Sequence, residues 1–189
     1  MNIEKSETLL CLINAFAGES ISRNKYTFYS KIAKKEGYNL ISDVFLETAE
    51  NEREHAKLFF KEIPNGFYKP NGTYSFFMGN TVENLLSSSE AEKDEWENIY
   101  KSASQTAARE GFDDIAKLFY NIAEIEKRHS HRFSLLAEQI KNESLYKKSE
   151  TTQWICTKCG HTHIGKEAPC ICPVCRHEQK DFRQFCEKI

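Results

Sequence analysis

Phe119-Tyr-Asn-Ile122-Ala-Glu-Ile-Glu126-Lys-Arg-His129-Ser-His-Arg-Phe133 is the stretch on which the reading of the fold turns. Extended at both ends, it gives Ile115, Phe119, Ile122, Glu126, His129, Phe133, Leu136 and Ile140, separated by alternating steps of four and three. Such spacing makes one inward stripe on an amphipathic helix. Glu126 and His129 stand in the middle of that stripe, where apolar residues are the rule. Three residues apart on a helix, their side chains share a face and reach one metal ion. The design recurs upstream in Ile41, Phe45, Thr48, Glu52, His55 and Phe59. A lone histidine on an apolar face is usually a satisfied core residue, but each of these follows an inward glutamate. His131 has no such partner and reads as a surface residue.

Two further helical segments carry carboxylates in register. Leu9, Leu12, Phe16 and Glu19 follow the same steps, as do Leu85, Ser88, Glu92, Glu95 and Ile99. The four segments run from about Ile3 to Lys35, Asn39 to Glu62, Thr81 to Arg109 and Phe112 to Leu145. Gly37 ends the first, Pro64 stops the second, Thr81 is the expected N-cap of the third, and Gly111 separates the last two. Asn65-Gly66, Pro70 and Asn71-Gly72 mark a long crossover between the two helix pairs. Short loop, long crossover, short loop is the connectivity of ferritin-like four-helix bundles, whose cores hold di-metal carboxylate sites.

Unpaired carboxylates cost several kcal/mol each in a core, so Glu19, Glu52, Glu92, Glu95 and Glu126 call for compensating cations. Glu50, Glu54, Glu90 and Glu124 fall off the stripes and read as solvated. Oxygen-rich ligation with two imidazoles suits iron or manganese, and the sequence alone does not choose between them. Tyr26 lies two turns beyond Glu19 on the same face, so its hydroxyl is placed to bond a ligand carboxylate or donate a proton. Tyr100 is a second candidate, although its angular position on the third helix is off the Glu92 and Glu95 stripe.

After Lys147-Lys148-Ser149-Glu150 the helical period stops and cysteine, proline and glycine appear. We therefore divide the 189-residue chain into a bundle, residues 1–148, and a tail, residues 149–189. The tail is too short to bury a useful core and needs a metal to fold. Cys156-x2-Cys159 and Cys172-x2-Cys175 make a tetrahedral thiolate site that takes zinc or iron. Cys11, Cys170 and Cys186 remain as free thiols, and His161, His163 and His177 crowd the knuckles without being needed as ligands. Four clustered cysteines among seven favour a reducing compartment, hence the cytoplasm, over a secreted disulfide framework.

With 40% hydrophobic residues the chain builds a full core, and its net charge of −2 is spread without a basic stripe for nucleic acid. No run of about 18 apolar residues exists to span a membrane. The run Leu9–Ile13 followed by Ala15-Phe-Ala17 resembles a short leader, but Glu4, Glu7 and Asn14 oppose it and the helical pattern continues beyond.

Ala15-Phe-Ala-Gly-Glu-Ser20, Arg23-Asn-Lys-Tyr-Thr27, Glu50-Asn-Glu-Arg-Glu-His-Ala-Lys57, Glu92-Lys-Asp-Glu-Trp96, Ala108-Arg-Glu-Gly-Phe112 and Glu126-Lys-Arg-His129 together resemble the motifs of the rubrerythrin family. Trp154 to Cys175, with Ala168-Pro169 and Cys172-Pro-Val-Cys175, resembles that family's rubredoxin-like domain. His161 and Cys170 depart from the usual pattern without touching a ligand. The resemblance implies a di-iron site held by Glu19, Glu52, His55, Glu92, Glu95, Glu126 and His129, and one iron on Cys156, Cys159, Cys172 and Cys175. It implies reduction of hydrogen peroxide to water, with electrons from a rubredoxin or an NAD(P)H-linked rubredoxin reductase. It further implies an exchange at one iron in which Glu95 gives way to His55, and a head-to-tail homodimer in which helix exchange is possible. A ferroxidase or iron store, and a zinc-ribbon interaction module, are the alternatives.

Overall fold

A computed structural model describes residues 2–185, so Cys186 lies outside the described residues. Helix α1 spans Glu7–Lys35 and α2 spans Asn39–Glu62; they pair as an antiparallel hairpin through a turn where Gly37 adopts φ +88°. Helix α3, Thr81–Asp94, runs through a π-helical turn at Glu95–Ile99 into α4, Tyr100–Arg109, forming a single rod. Helix α5, Asp113–Lys141, returns along it after a turn at Gly111, φ +82°. The result is a mainly α, ferritin-like four-helix bundle.

The ends of the helices differ from the sequence expectation for local reasons. Residues Ile3–Lys5 form a 3-10 turn, and α1 begins only after Ser6, whose hydroxyl accepts the Leu9 N–H at 3.1 Å. Glu110, at the end of α4, accepts the Glu7 and Thr8 N–H groups at 3.0 and 2.8 Å, so it stabilises the positive end of α1's dipole. The N-cap of α3 is Asn80, not Thr81: the Asn80 side chain accepts the Glu83 N–H, and the Glu83 carboxylate accepts the Asn80 N–H. Helix α5 stops at Lys141 rather than Leu145 because Glu143 takes a left-handed φ of 53°. Leu145 then turns back and buries against the bundle.

The crossover is pinned along α1. Asn14 Oδ1 accepts the Asn71 and Gly72 N–H groups at 2.9 and 3.1 Å, Tyr74 donates to the Asn14 carbonyl, and Tyr29 donates to the Phe77 carbonyl at 2.5 Å. Asn14 therefore breaks the apolar run of α1 in order to hold this segment.

Inside the bundle two apolar clusters stand apart. One gathers Tyr26, Tyr29, Ile41, Phe45, Leu85 and Phe133; the other gathers Leu12, Phe59, Tyr100, Ile115, Phe119 and Ile122. The inward carboxylates lie between them.

The tail is a three-stranded antiparallel sheet in the order β2-β1-β3, with β1 at Lys147–Cys156, β2 at Thr162–Glu167 and β3 at Phe182–Gln184. Trp154, Ala168 and Phe182 fill its small core with Cys156 and Cys172. Asn39, at the start of α2, donates to Asp181 at 2.8 Å and ties the tail to that end of the bundle. Among the described residues no helix is long and apolar enough to cross a membrane.

Replacing Asn80 with Ala should remove the capping box and cost about 1 kcal/mol. Thermal unfolding of the metal-free protein should shift down by about 2–4 °C; an unchanged midpoint would show that Asn80 is not a working cap.

Candidate metal centres

Each helix of the bundle contributes where its stripe crosses the gap between the apolar clusters. Glu19 comes from α1, Glu52 and His55 from α2, Glu92 from α3, and Glu126 and His129 from α5; all six are at most 5% exposed. Their donor atoms form two overlapping groups: Glu19, Glu52, His55 and Glu126, and Glu52, Glu92, Glu126 and His129, with the atoms of each group within 4.8 Å of one another. Glu52 and Glu126 belong to both, so two cations held here would share them.

The imidazoles are oriented for ligation. Nδ1 of His55 lies 2.9 Å from Glu52 and 2.8 Å from Glu126, and Nδ1 of His129 lies 2.6 Å from Glu126 and 3.3 Å from Glu52. On its outer edge His129 Nε2 meets Asn51 Oδ1 at 3.2 Å. That partner holds the ring proton on Nε2 and leaves Nδ1 free to bind metal. Asn51 had no sequence signal, because it lies on the rim of the helix face rather than on the stripe.

The two tyrosines cross-link the helix pairs. Tyr26 on α1 donates to Glu92 on α3, and Tyr100 on α4 donates to Glu19 on α1 at 2.5 Å. Tyr100 is 1% exposed, whereas Ile99, which the α-helical stripe places inward, is 43% exposed. The π turn accounts for both. The Tyr100 N–H bonds to the Glu95 carbonyl five residues back, and the extra residue delays the stripe so that Tyr100, Ala103 and Ala107 face the core.

Glu95 stands apart. It begins the π turn, is only half-buried, and belongs to neither four-residue group. Its Oε1 lies beside Gly18 of α1. His131 is exposed.

Without cations this charge set is frustrated. Burial, with repulsion from neighbouring carboxylates, raises Glu92 and Glu95 well above the ordinary range. Burial raises Glu19 in the same way, although His55 partly relieves it. Burial opposes ionisation of Glu126 too, but hydrogen bonds from His129 and His55 outweigh it and hold this group at about 2. The same bonds overcome the burial of His129 and lift it to about 9, and they raise His55 as well. Tyr26 and Tyr100 are pushed far up by burial and by the nearby carboxylates, so they remain donors.

The residues fit a pair of cations on a further count. A buried oxygen of Glu19 and one of Glu92 lack a hydrogen-bond donor, a costly condition that metal bonds relieve. Oxygen-rich ligation with two imidazoles suits iron or manganese.

In the tail, Sγ of Cys156 lies 3.6 Å from that of Cys175, and Sγ of Cys159 lies 3.7 Å from that of Cys172. A tetrahedron with metal–sulfur bonds of about 2.3 Å has edges of about 3.8 Å, so the four sulfurs fit one metal ion. Gly160 at φ +76° and Arg176 at φ +65° follow the second cysteine of each knuckle and turn the chain back. Burial resists ionisation of Cys172, yet the N–H groups of Cys175 and Val174 draw it down to about 6. Cys175, despite the N–H of His177, is pushed up to about 12 by burial and by the three other sulfurs. His177 is exposed, with Nδ1 3.3 Å from Cys175 Sγ, while His161 and His163 are half-buried.

Because metal ligation needs deprotonated ligands, ferrous ion added without oxygen at pH 7 should release protons from Glu19, Glu92, Glu95 and the two imidazoles. All have raised pKa values, so metal affinity should weaken as pH falls. An indicator dye in weak buffer reads the release, and metal uptake without acidification would show that the groups are already ionised.

Comparison with known proteins agrees with this geometry. The rubrerythrin family model matches residues 11–137, and the model of the rubrerythrin rubredoxin-like domain matches residues 154–183. Rubrerythrin-1 of Clostridium acetobutylicum is 44% identical, covering 98% of each chain. Rubrerythrin of Porphyromonas gingivalis is 40% identical over 96% of this chain and 91% of its own. The solved structure of fully reduced, all-ferrous nigerythrin superposes with a TM-score of 0.64 at 26% identity, over 96% of this chain and 90% of that one. A bacterioferritin of Desulfovibrio desulfuricans, at 21% identity and a TM-score of 0.67, shares the fold of the bundle over 76% of this chain and 86% of its own. A buried carboxylate–histidine cluster that fits two irons, joined in one chain to a four-cysteine site that fits a third, and family matches over both parts, place this protein in the rubrerythrin family.

Proposed function

We propose that the protein is a non-haem di-iron peroxidase, an oxidoreductase that reduces hydrogen peroxide to water and protects against oxidative stress. Two protons and two electrons convert one peroxide to two waters. The observation that carries this reading is that one chain joins a two-cation site, with tyrosyl protons held at its carboxylates, to a separate thiolate site suited to single-electron transfer. When bound, a pair of irons supplies two electrons together for breaking an O–O bond, and a thiolate iron returns them one at a time.

The chain's own residues have distinct roles in this scheme. Glu19, Glu52, His55, Glu92, Glu126 and His129 hold the pair, with Glu52 and Glu126 shared. Glu95 and His55 approach from opposite faces, α1/α3 and α2/α5, an arrangement suited to exchanging one for the other. Tyr26 and Tyr100 keep protons at Glu92 and Glu19, ready to follow charge that develops there. Cys156, Cys159, Cys172 and Cys175 hold the electron-transfer iron.

The reading includes a homodimer. Thr157, in the first knuckle, bonds to the Asp181 carbonyl, and Asp181 bonds to Asn39. From Asn39 to Glu52 the rise along α2 is about 20 Å at 1.5 Å per residue. Electron tunnelling falls exponentially with distance, so a second copy bringing its tail to the histidine face of the bundle shortens the path. Cys156, Cys159, Cys172 and Cys175 would hold the iron to which a rubredoxin or an NAD(P)H-linked rubredoxin reductase would supply electrons. The free thiols fit a cytoplasmic location. A ferroxidase or iron store uses the same bundle but leaves the thiolate site without a task.

Anaerobically reduced protein mixed with stoichiometric peroxide should reoxidise at both iron sites much faster than with dioxygen. Equal rates, or no reoxidation, would defeat the peroxidase reading. Tyr100→Phe removes the proton donor at Glu19 and should slow the peroxide phase about 10-fold or more with metal content unchanged; an unaltered rate would confine Tyr100 to packing.

A further inference from the structure

Because the other six inward residues are almost fully buried and Glu95 is half-buried, solvent approaches the cluster beside Glu95. Two surface hollows lead toward the cluster from opposite faces. On the α2/α5 face, a hollow of about 410 Å³ is lined by Asn51, His55, Arg128, His129 and Arg132. There the imidazole rings stand between the hollow and the carboxylates, with their Nδ1 atoms turned inward and Asn51 holding the outer edge of His129. A solute arriving from that side meets ring edges.

The hollow on the α1/α3 face is different. It has about 280 Å³, lined by Gly18, Ser22 and Lys25 of α1, by Glu95, and by Thr73, Tyr74 and Ser75 of the crossover. Here no imidazole is in the wall; the ring of Tyr74 lines the hollow beside Gly18, and Glu95 is itself part of the lining.

Gly18 is the anomaly in its wall. Glycine in a helix interior is less stable than alanine. A Cβ added there would lie 3.7 Å from Tyr74 Cε1 and 3.9 Å from Glu95 Oε1, ordinary contact distances, and the residue does not need a positive φ. Neither backbone conformation nor packing therefore excludes alanine. What a side chain would take is the space between Tyr74 and Glu95.

We propose that this hollow is the route by which a small uncharged oxidant, hydrogen peroxide, reaches the Glu95 side of the metal pair, with Gly18 as the specificity-determining residue that keeps it open. The proposal rests on the peroxidase reading above. The width between Tyr74 and the Gly18 backbone sets the size limit, so bulkier hydroperoxides are disfavoured.

The full-length, iron-loaded protein serves for the test, with azide as a second small probe of the oxidised pair that needs no peroxide chemistry. Gly18→Ala should raise the melting temperature of the metal-free chain while slowing reoxidation by hydrogen peroxide a few-fold. It should slow reoxidation by tert-butyl hydroperoxide more. Gly18→Leu should reduce both the peroxide and azide association rates at least 10-fold, with iron content and the visible spectrum of the thiolate site unchanged. Tyr74→Ala, which widens the hollow, should instead speed tert-butyl hydroperoxide. Ile125→Trp, at the opposite hollow, should alter neither probe. If Gly18→Leu, or Gly18→Ala and Tyr74→Ala where the leucine variant fails to load iron, leaves both rates at the wild-type level, the route is elsewhere. If reduced wild-type protein does not react with peroxide, while the Gly18 variants bind azide more slowly than wild type does, the peroxidase reading fails and the route stands.

Discussion

The mutual repulsion of carboxylates brought into an apolar bundle governs the rest of this structure. Glu19 and Glu92 each carry a buried oxygen without a donor, and two imidazoles are too few to neutralise five carboxylates. A protein stabilised only by burial would not keep such a cluster, because each unpaired charge costs more than an apolar side chain of the same size contributes. Apolar clusters on either side close the cluster off along the bundle axis, which strengthens the interactions within it. Tyr26 and Tyr100 complete the arrangement from those clusters: their rings pack with Phe45, Phe133, Phe59 and Phe119, while their hydroxyls reach Glu92 and Glu19. The same side chains thus seal the site and satisfy it.

Most of this was legible because helical period and metal chemistry impose spacing on the chain. The seven inward groups were found from steps of three and four, and the structure brings six of them into two overlapping donor groups. The tail was found from its C-x2-C pairs. What escaped depended on changes of period and on contacts across elements. An unbroken α-helix predicts Ile99 inward and Tyr100 off the stripe; one π turn reverses them, and single-sequence periodicity carries no sign of the extra residue. Asn80 took the cap from Thr81 through a reciprocal bond with Glu83, although both residue types serve at that position. Asn51 was invisible because its part depends on the orientation of a ring on another helix.

The π turn also links position to chemistry. It begins at Glu95, the one carboxylate outside the donor groups, and ends by delivering Tyr100 to Glu19. An ordinary helix would place an isoleucine where that hydroxyl is needed. Local weakening of the regular hydrogen-bond ladder falls beside the carboxylate that the proposed exchange requires to move, consistent with the concentration of π turns at functional sites. Glu95, at the start of that turn, remains partly exposed, with its Oε1 beside Gly18 of α1.

The joining of bundle and tail imposes a final constraint. Asn39 and Asp181 fix the tail to the turn end of the α1/α2 hairpin, while the donor groups lie about 20 Å further along α2. Had the two centres been meant to exchange electrons within one chain, docking the tail over the histidine face would have been the direct solution. Instead that face carries an open hollow bounded by Arg128, Arg132 and Glu47, with the Nε2 edge of His129 at its floor. A tail held at the hairpin end and an open histidine face are what the proposed pairing of two copies would use. The proposed dimer thus rests on the proposed redox scheme, which calls for a shorter path between the two centres than the roughly 20 Å along α2.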